Sequence, residues 1–318
     1  MKMNVRLVSI VTVFLLATFT ASQQHLSATE TIIIAHHKTG TVLSWEVVAN
    51  LCCPSMNIFY NASSKEDFYP LYRLHCAPRC EEKRVLFYSN GAPKRLLLKR
   101  NKASRGVDRR LLHFSRAPVQ LLVSGYLYHK RCPEAWTKRS RLEREKNRIP
   151  ADVASLLHAS NSQNYCDFLS KASEEDGMHA EVARSVHAQD GVSRMISDFL
   201  RLRPLKPLTV CLDDLFGDEE EEATPSWLAV LAFLGLRRDE VRHFPAAVIG
   251  QHATRSGNAE ARAARTRLSA IAARSLAQFT SNHSSSSHYD RAGVYAHNNT
   301  PVALLPLLEM PPDFPCRR

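Results

Sequence analysis

The chain has 318 residues, enough for one large α/β domain or two small ones, and its 44% hydrophobic and 23% charged content excludes wholesale disorder. A formal net charge of +11 suits polyanionic partners: nucleic acid, an anionic membrane, sulfated or carboxylated glycans, or a nucleotide cosubstrate. At the N-terminus, Lys2 and Arg6 precede an apolar run from Leu7 to Ala21, and small residues follow before Gln23 and Gln24. This pattern reads as a secretory signal peptide over 1–24. The run is short for a bilayer span of ~20 residues, and a short signal anchor is the alternative. The folded domain is then expected over 29–318.

Eight cysteines (Cys52, Cys53, Cys76, Cys80, Cys132, Cys166, Cys211 and Cys316) fit disulfides in an oxidising compartment, with the pairing left open. No second ligand pair stands at zinc spacing from Cys76 and Cys80, so no metal site is expected. N-x-S/T sequons at Asn61, Asn282 and Asn298 agree with secretion.

Thr31 to Ala35 is a β-branched apolar run and predicts a buried strand. The polar turn His36-His37-Lys38-Thr39-Gly40-Thr41 follows, and apolar spacing predicts a helix over 42–51. The segment 52–102 is rich in Cys, Pro and Tyr and resists assignment, apart from a strand near Val85–Tyr88. Arg110 to Ser115 predicts a strand, and Pro118 suits the first turn of a helix running through Tyr126. The basic stretch 130–148 reads as a solvated helix or surface insertion, and 151–200 as mostly helical. Leu208 to Leu212 predicts a strand ending at Asp213 and Asp214. An acidic loop (218–222), a helix over 225–236, an Ala/Arg-rich helix over 259–279 and a Ser-rich loop at 284–287 complete the pattern. Strands alternating with helices predict a parallel sheet covered on both faces.

Two places have the chemistry to grip phosphate. A strand–turn–helix junction presents unpaired backbone N–H groups with positive partial charge, and Gly40 and Lys38 add close approach and full charge. The first glycine of an ATPase loop is missing and the lysine precedes the remaining one, which separates this turn from a Walker loop. Arg116 and Ser124, eight residues apart across Pro118, offer a guanidinium and a hydroxyl to a second phosphate.

His-His-Lys-Thr-Gly-Thr resembles the 5′-phosphosulfate loop of the sulfotransferases that use 3′-phosphoadenosine 5′-phosphosulfate (PAPS). Arg116-Ala-Pro-Val-Gln-Leu-Leu-Val-Ser124-Gly-Tyr126 resembles that family's 3′-phosphate motif. Val210-Cys-Leu-Asp-Asp-Leu215 and Phe233-Leu-Gly-Leu236 resemble two further family segments in the right order. The resemblance implies an α/β fold like that of P-loop NTPases: a central parallel sheet flanked by helices, with helical insertions. Acceptor-cleft insertions are expected at roughly 52–102 and 130–204. It also implies that His37, Lys38, Thr39, Gly40 and Thr41 hold the phosphosulfate, and Arg116 and Ser124 the 3′-phosphate. Ala117 departs from the acidic or amide residue often found there. The family's C-terminal cosubstrate loop is not located, and the basic segment 255–267 is a candidate for it.

Sulfuryl transfer builds charge on the leaving phosphate oxygen, where Lys38 would stabilise it, and the acceptor needs a base. Glu46, about two helical turns beyond Lys38, matches the base of the heparan sulfate-type branch. His75 and His113 are other candidates, and His36 or His37 are alternative sulfate contacts. The expected activity is therefore sulfuryl transfer from PAPS, without a metal, to a hydroxyl or amine, with a glycan or glycoprotein as acceptor. Nucleic acid is not expected as a partner. The expected location is the Golgi lumen or membrane, or outside the cell. The alternatives are a P-loop kinase or nucleotidase, with Asp213 or Asp214 on magnesium, and a non-catalytic glycan-binding relative.

Overall fold

The computed structural model describes residues 29–36, 38–39, 57–60, 71–75, 83–88, 108–140, 150–187, 191–215, 224–234, 259–284 and 314–316. The proposed signal segment, the helix expected over 42–51 and the acidic loop 218–222 lie outside these residues, as does the Ser-rich loop beyond Ser284. Among the described residues, no helix is long and apolar enough to cross a membrane.

Six strands form one sheet: β1 (Thr29–Ile34), β2 (Asn57–Tyr60), β3 (Leu71–His75), β4 (Lys83–Tyr88), β5 (Asp108–Ser115) and β6 (Leu208–Cys211). Their order is β2-β3-β4-β1-β5-β6. The four strands β4-β1-β5-β6 run parallel, while β3 pairs antiparallel with β4 and β2 with β3. The antiparallel edge is a correction to the all-parallel expectation, and both of its strands fall in the segment that resisted assignment. Thr31 to His36 are buried in unbroken succession, as a central strand covered on both faces requires. Full burial of Ile33 and Ile34 contributes roughly 1.5–3 kcal/mol each.

The helices among the described residues are α1 (Pro118–His129), α2 (Ala151–Ala159), α3 (Tyr165–Lys171), α4 (Glu174–His187), α5 (Val192–Leu202), α6 (Pro225–Phe233) and α7 (Ala259–Ser284). Pro118 sits in the first turn of α1, as its fixed φ and missing N–H favour. Along α5, Val192, Met195, Ile196, Phe199 and Leu202 are buried at helical spacing and turn one face to the core. The stretch after α1 is not a long solvated helix as far as Ser140: it turns at Lys130 and forms one short 3-10 helix, Ala135–Lys138.

Helix α4 touches α1, α2, α5 and α7. It crosses α1 closely because two glycines meet the partner helix. A Cβ at Gly125 would lie 2.6 Å from Glu181 Oε1, and one at Gly177 would lie 2.8 Å from the Tyr126 ring. This approach carries the fully buried Glu181 across to α1 and α3. Its carboxylate accepts from Tyr165 Oη at 2.8 Å and from Arg184 Nε at 3.2 Å, and pairs with His129 Nδ1 at 2.9 Å. Burial opposes its charge, but Arg184 and His129 overcome that and hold Glu181 ionised well below the usual carboxylate range. The same pairing wins over burial at His129 and raises its pKa.

Two disulfides lie among the described cysteines. Cys132–Cys166 ties the turn after α1 to α3, beside the Glu181 cluster. Cys211–Cys316 ties the end of β6 to the C-terminal segment, 105 residues away, where Phe314 is also buried. Closing so long a loop contributes about 4–5 kcal/mol by restricting the unfolded chain. Such pairs fit an oxidising extracellular or secretory compartment.

Glu181→Gln is expected to lower the unfolding free energy by about 3–5 kcal/mol in urea titrations, because the buried Arg184 and His129 both lose the carboxylate they pair with. Gly125→Ala should cost about 1–3 kcal/mol in the same assay, despite alanine's higher helix propensity, since the carboxylate it meets is pinned.

Candidate functional site

The loops after β1, β5 and β6 leave the carboxyl edge of three adjacent parallel strands. From β1 the chain passes to β2, β3 and β4 on one side, and from β5 it passes to β6 on the other. The strand order therefore reverses between β1 and β5, where open α/β sheets form their ligand crevice. Lys38 and Arg116 both follow these two strand ends.

After β1, the turn is built by Thr39. Its hydroxyl accepts from the His36 N–H at 2.6 Å and donates to the His36 carbonyl at 3.1 Å, and its own N–H donates to the same carbonyl. Thr39 is fully buried, and its side chain shapes the loop. Lys38 adopts φ 62°, a left-handed conformation that costs a non-glycine residue about 1–2 kcal/mol. Two contacts hold it there. Arg116 Nη1 donates to the Lys38 carbonyl at 3.2 Å, and the Lys38 ammonium lies 3.6 Å from the centroid of the Tyr128 ring.

Arg116 also donates through Nε to Asp213 Oδ1 at 3.0 Å, with Nη2 at 3.0 Å from the same oxygen. One guanidinium thus joins the loops after β1, β5 and β6. Asp213 Oδ2 is buried with no hydrogen-bond partner among the described residues, so this carboxylate has unused acceptor capacity. Ser124 is half-buried on α1, one helical turn before Tyr128 and one after Gln120, on a shared face. Gln120 Nε2 reaches Ser269 Oγ of α7 at 3.4 Å. Arg265 lies one turn before Ser269; partial desolvation of its guanidinium lowers its pKa, as does the charge of Arg116 and then of Arg131, while Asp213 opposes this. Arg116, Arg131 and Arg265 therefore share one cationic neighbourhood.

Of the residues read from sequence, the structure brings together Lys38, Arg116 and the Ser124 face. His37, Gly40, Thr41 and Glu46 lie outside the described residues. His75 pairs with Arg84 near the start of β4, whereas the site lies at the level of Tyr88 and Ile34. It is thus about 13 Å from the carboxyl edge at ~3.3 Å per residue, and the register removes it as a base. His113 sits at the correct edge but is fully buried, with Nε2 3.2 Å from His36 Nε2. It supports the loop from beneath instead of facing an acceptor. Of Asp213 and Asp214, the magnesium candidates under the kinase alternative, Asp213 is the partner of Arg116. Tyr128 and Arg131 were missed, though Tyr128's place four residues beyond Ser124 is a signal the sequence carries. Arg265 falls in the basic segment 255–267.

The two histidines are neutral. Burial drives His113 down to about 3, and burial, then His113 and Arg194, push His36 well below the ordinary range. Their shared bond requires opposite tautomers, one ring donating from Nε2 and the other accepting there. Asp198, held by Arg194 and Arg201, approaches His36 Nε2 at 3.9 Å.

No protein-family model, curated protein or solved structure matches this chain. The site is therefore defined by its own geometry: an α/β sheet edge with a strained lysine loop and convergent guanidiniums, suited to a phosphate-bearing anion.

The depressed histidines set an acid limit. Between pH 6.5 and about 3 the unfolded chain binds protons that the folded His113 refuses, so stability falls as pH drops through that window. Each such histidine contributes at most about 1.4 kcal/mol per pH unit. Urea unfolding between pH 7 and 4 should show this slope, and His113→Gln should flatten it.

Proposed function

We propose that this protein is a sulfotransferase that moves a sulfuryl group from PAPS to a hydroxyl or amine, with a glycan or glycoprotein of the secretory pathway as the favoured acceptor class. The observation that carries the reading is the Arg116–Lys38 contact. Two sequence segments that separately resemble phosphate-gripping motifs meet at 3.2 Å, across 78 residues of chain, at the strand-order reversal.

In this reading the Lys38 loop receives the 5′-phosphosulfate, and the face of α1 carrying Ser124 receives the 3′-phosphate. Arg131 and Arg265 supply further positive charge near Arg116, and Arg265 belongs to the basic segment 255–267, the candidate for the C-terminal cosubstrate loop. Arg116 is already committed to Asp213 and the Lys38 carbonyl, so a bound phosphate would share its guanidinium or displace Asp213. In the reaction, the acceptor oxygen or nitrogen forms a bond to sulfur as the bond from sulfur to the phosphate oxygen breaks. The electron pair stays on that oxygen, where the Lys38 ammonium offsets the charge. The acceptor's proton passes to a base, for which Glu46 remains the proposal. The pairing of Asp213 with Arg116 favours this reading over a kinase that would use Asp213 for magnesium. The disulfides and the net charge of +11 support a secretory setting and an acidic glycan as acceptor.

Calorimetric titration with the product nucleotide 3′-phosphoadenosine 5′-phosphate (PAP) tests the reading. Wild-type protein should bind it without magnesium, and Lys38→Ala and Arg265→Ala should each weaken binding by about 10- to 100-fold, the value of a charge-assisted contact. A folded wild-type protein that ignores PAP would sink the proposal.

A further inference from the structure

Building on the donor-site reading above, we infer that Tyr128 is a positioning residue: its ring is the seat that holds the Lys38 ammonium beside Ser124, ready for the anionic donor. The ammonium lies 3.6 Å from the ring centroid, well inside the range of a cation–π contact. Lys38 carries its charge on a long four-carbon stem that leaves a strained backbone at φ 62°. Arg116 fixes the carbonyl end of the residue and Tyr128 fixes the charged end.

The seat itself is rigid. His129, the next residue, is fully buried and bound to Glu181 at 2.9 Å, and its Nε2 lies 3.4 Å from Glu134. Cys132, three residues further on, is bonded to Cys166. The buried cluster between α1, α3 and α4 therefore reaches the site through one peptide unit. Burial and then the Glu134 carboxylate raise the Tyr128 pKa, which keeps the phenol neutral. Ser124 lies one turn away on the same helical face, so an ammonium over Tyr128 is already beside the hydroxyl expected to meet phosphate. A cation resting on a ring face keeps N–H donors for a second partner, so the seat does not compete with an anion. It cuts the ordering that binding would otherwise require.

The contact is tested without nucleotide by NMR of lysine labelled with carbon-13 at Cε, with the Lys38 signal assigned by its loss in Lys38→Arg. Its protons should be shifted upfield by the ring in wild type and in Tyr128→Phe, and unshifted in Tyr128→Leu. Calorimetry with PAP then tests the role. Tyr128→Phe should keep affinity within about threefold, and Tyr128→Leu should lose roughly five- to tenfold. In a Lys38→Met background the Leu substitution should have no further effect. Tyr128→Gln replaces the Leu variant if that one unfolds. An unshifted Lys38 signal in wild type overturns the inference. So does unchanged or tighter PAP binding by Tyr128→Leu, or an equal loss in the Lys38→Met background. Absence of PAP binding by wild type is a different failure: it removes the donor-site reading, and this inference with it.

Discussion

A single guanidinium holds the carboxyl edge of this sheet together. Arg116 donates to Asp213 after β6 and to the Lys38 carbonyl after β1, while itself ending β5. Parallel strands leave their connecting loops independent of one another, since each departs into its own crossover. Something must then set the loops' relative positions, and a planar fork with several donors can satisfy two directions at once. The pair is only partly buried, with side-chain exposures of 14% and 33%, so its net energy is modest and its value lies in geometry.

Two buried polar systems support that edge from different sides. Beneath the β1 loop, His36 and His113 share a hydrogen bond in a region where neither can ionise cheaply. Behind α1, Glu181 does remain ionised, because Arg184 and His129 surround it. The contrast follows from partners and not from burial, which is complete in both cases. The glycines at 125 and 177 are what allow the second system to exist, since a Cβ at either would occupy space held by Glu181 or Tyr126.

Charge at the site comes from widely separated parts of the chain. Arg116, Arg131 and Arg265 come close enough for their like charges to repel, and Asp213 offsets part of that repulsion.

The local elements were legible from the residues themselves. β1 follows from its β-branched run, α1 from Pro118 at its start, and α7 from its Ala/Arg composition, because these depend on neighbours a few residues away. The pairing of Lys38 with Arg116 was legible only as two motifs, and sheet order supplied the contact. The antiparallel strands β2 and β3 were not legible, as short strands in a Cys-, Pro- and Tyr-rich segment gain their stability from pairing and not from propensity. Cysteine connectivity, the Glu181 cluster and the proximity of Arg265 were decided by tertiary structure alone. Glu181 stands in a helix rich in acidic residues, and only the close crossing of α1 and α4 turns that one carboxylate inward. The sequence by itself determined which segments could form strands, helices and a phosphate-type turn. The register of the sheet and the crossing of the helices decided which side chains face one another, because those contacts join residues that local chemistry cannot relate.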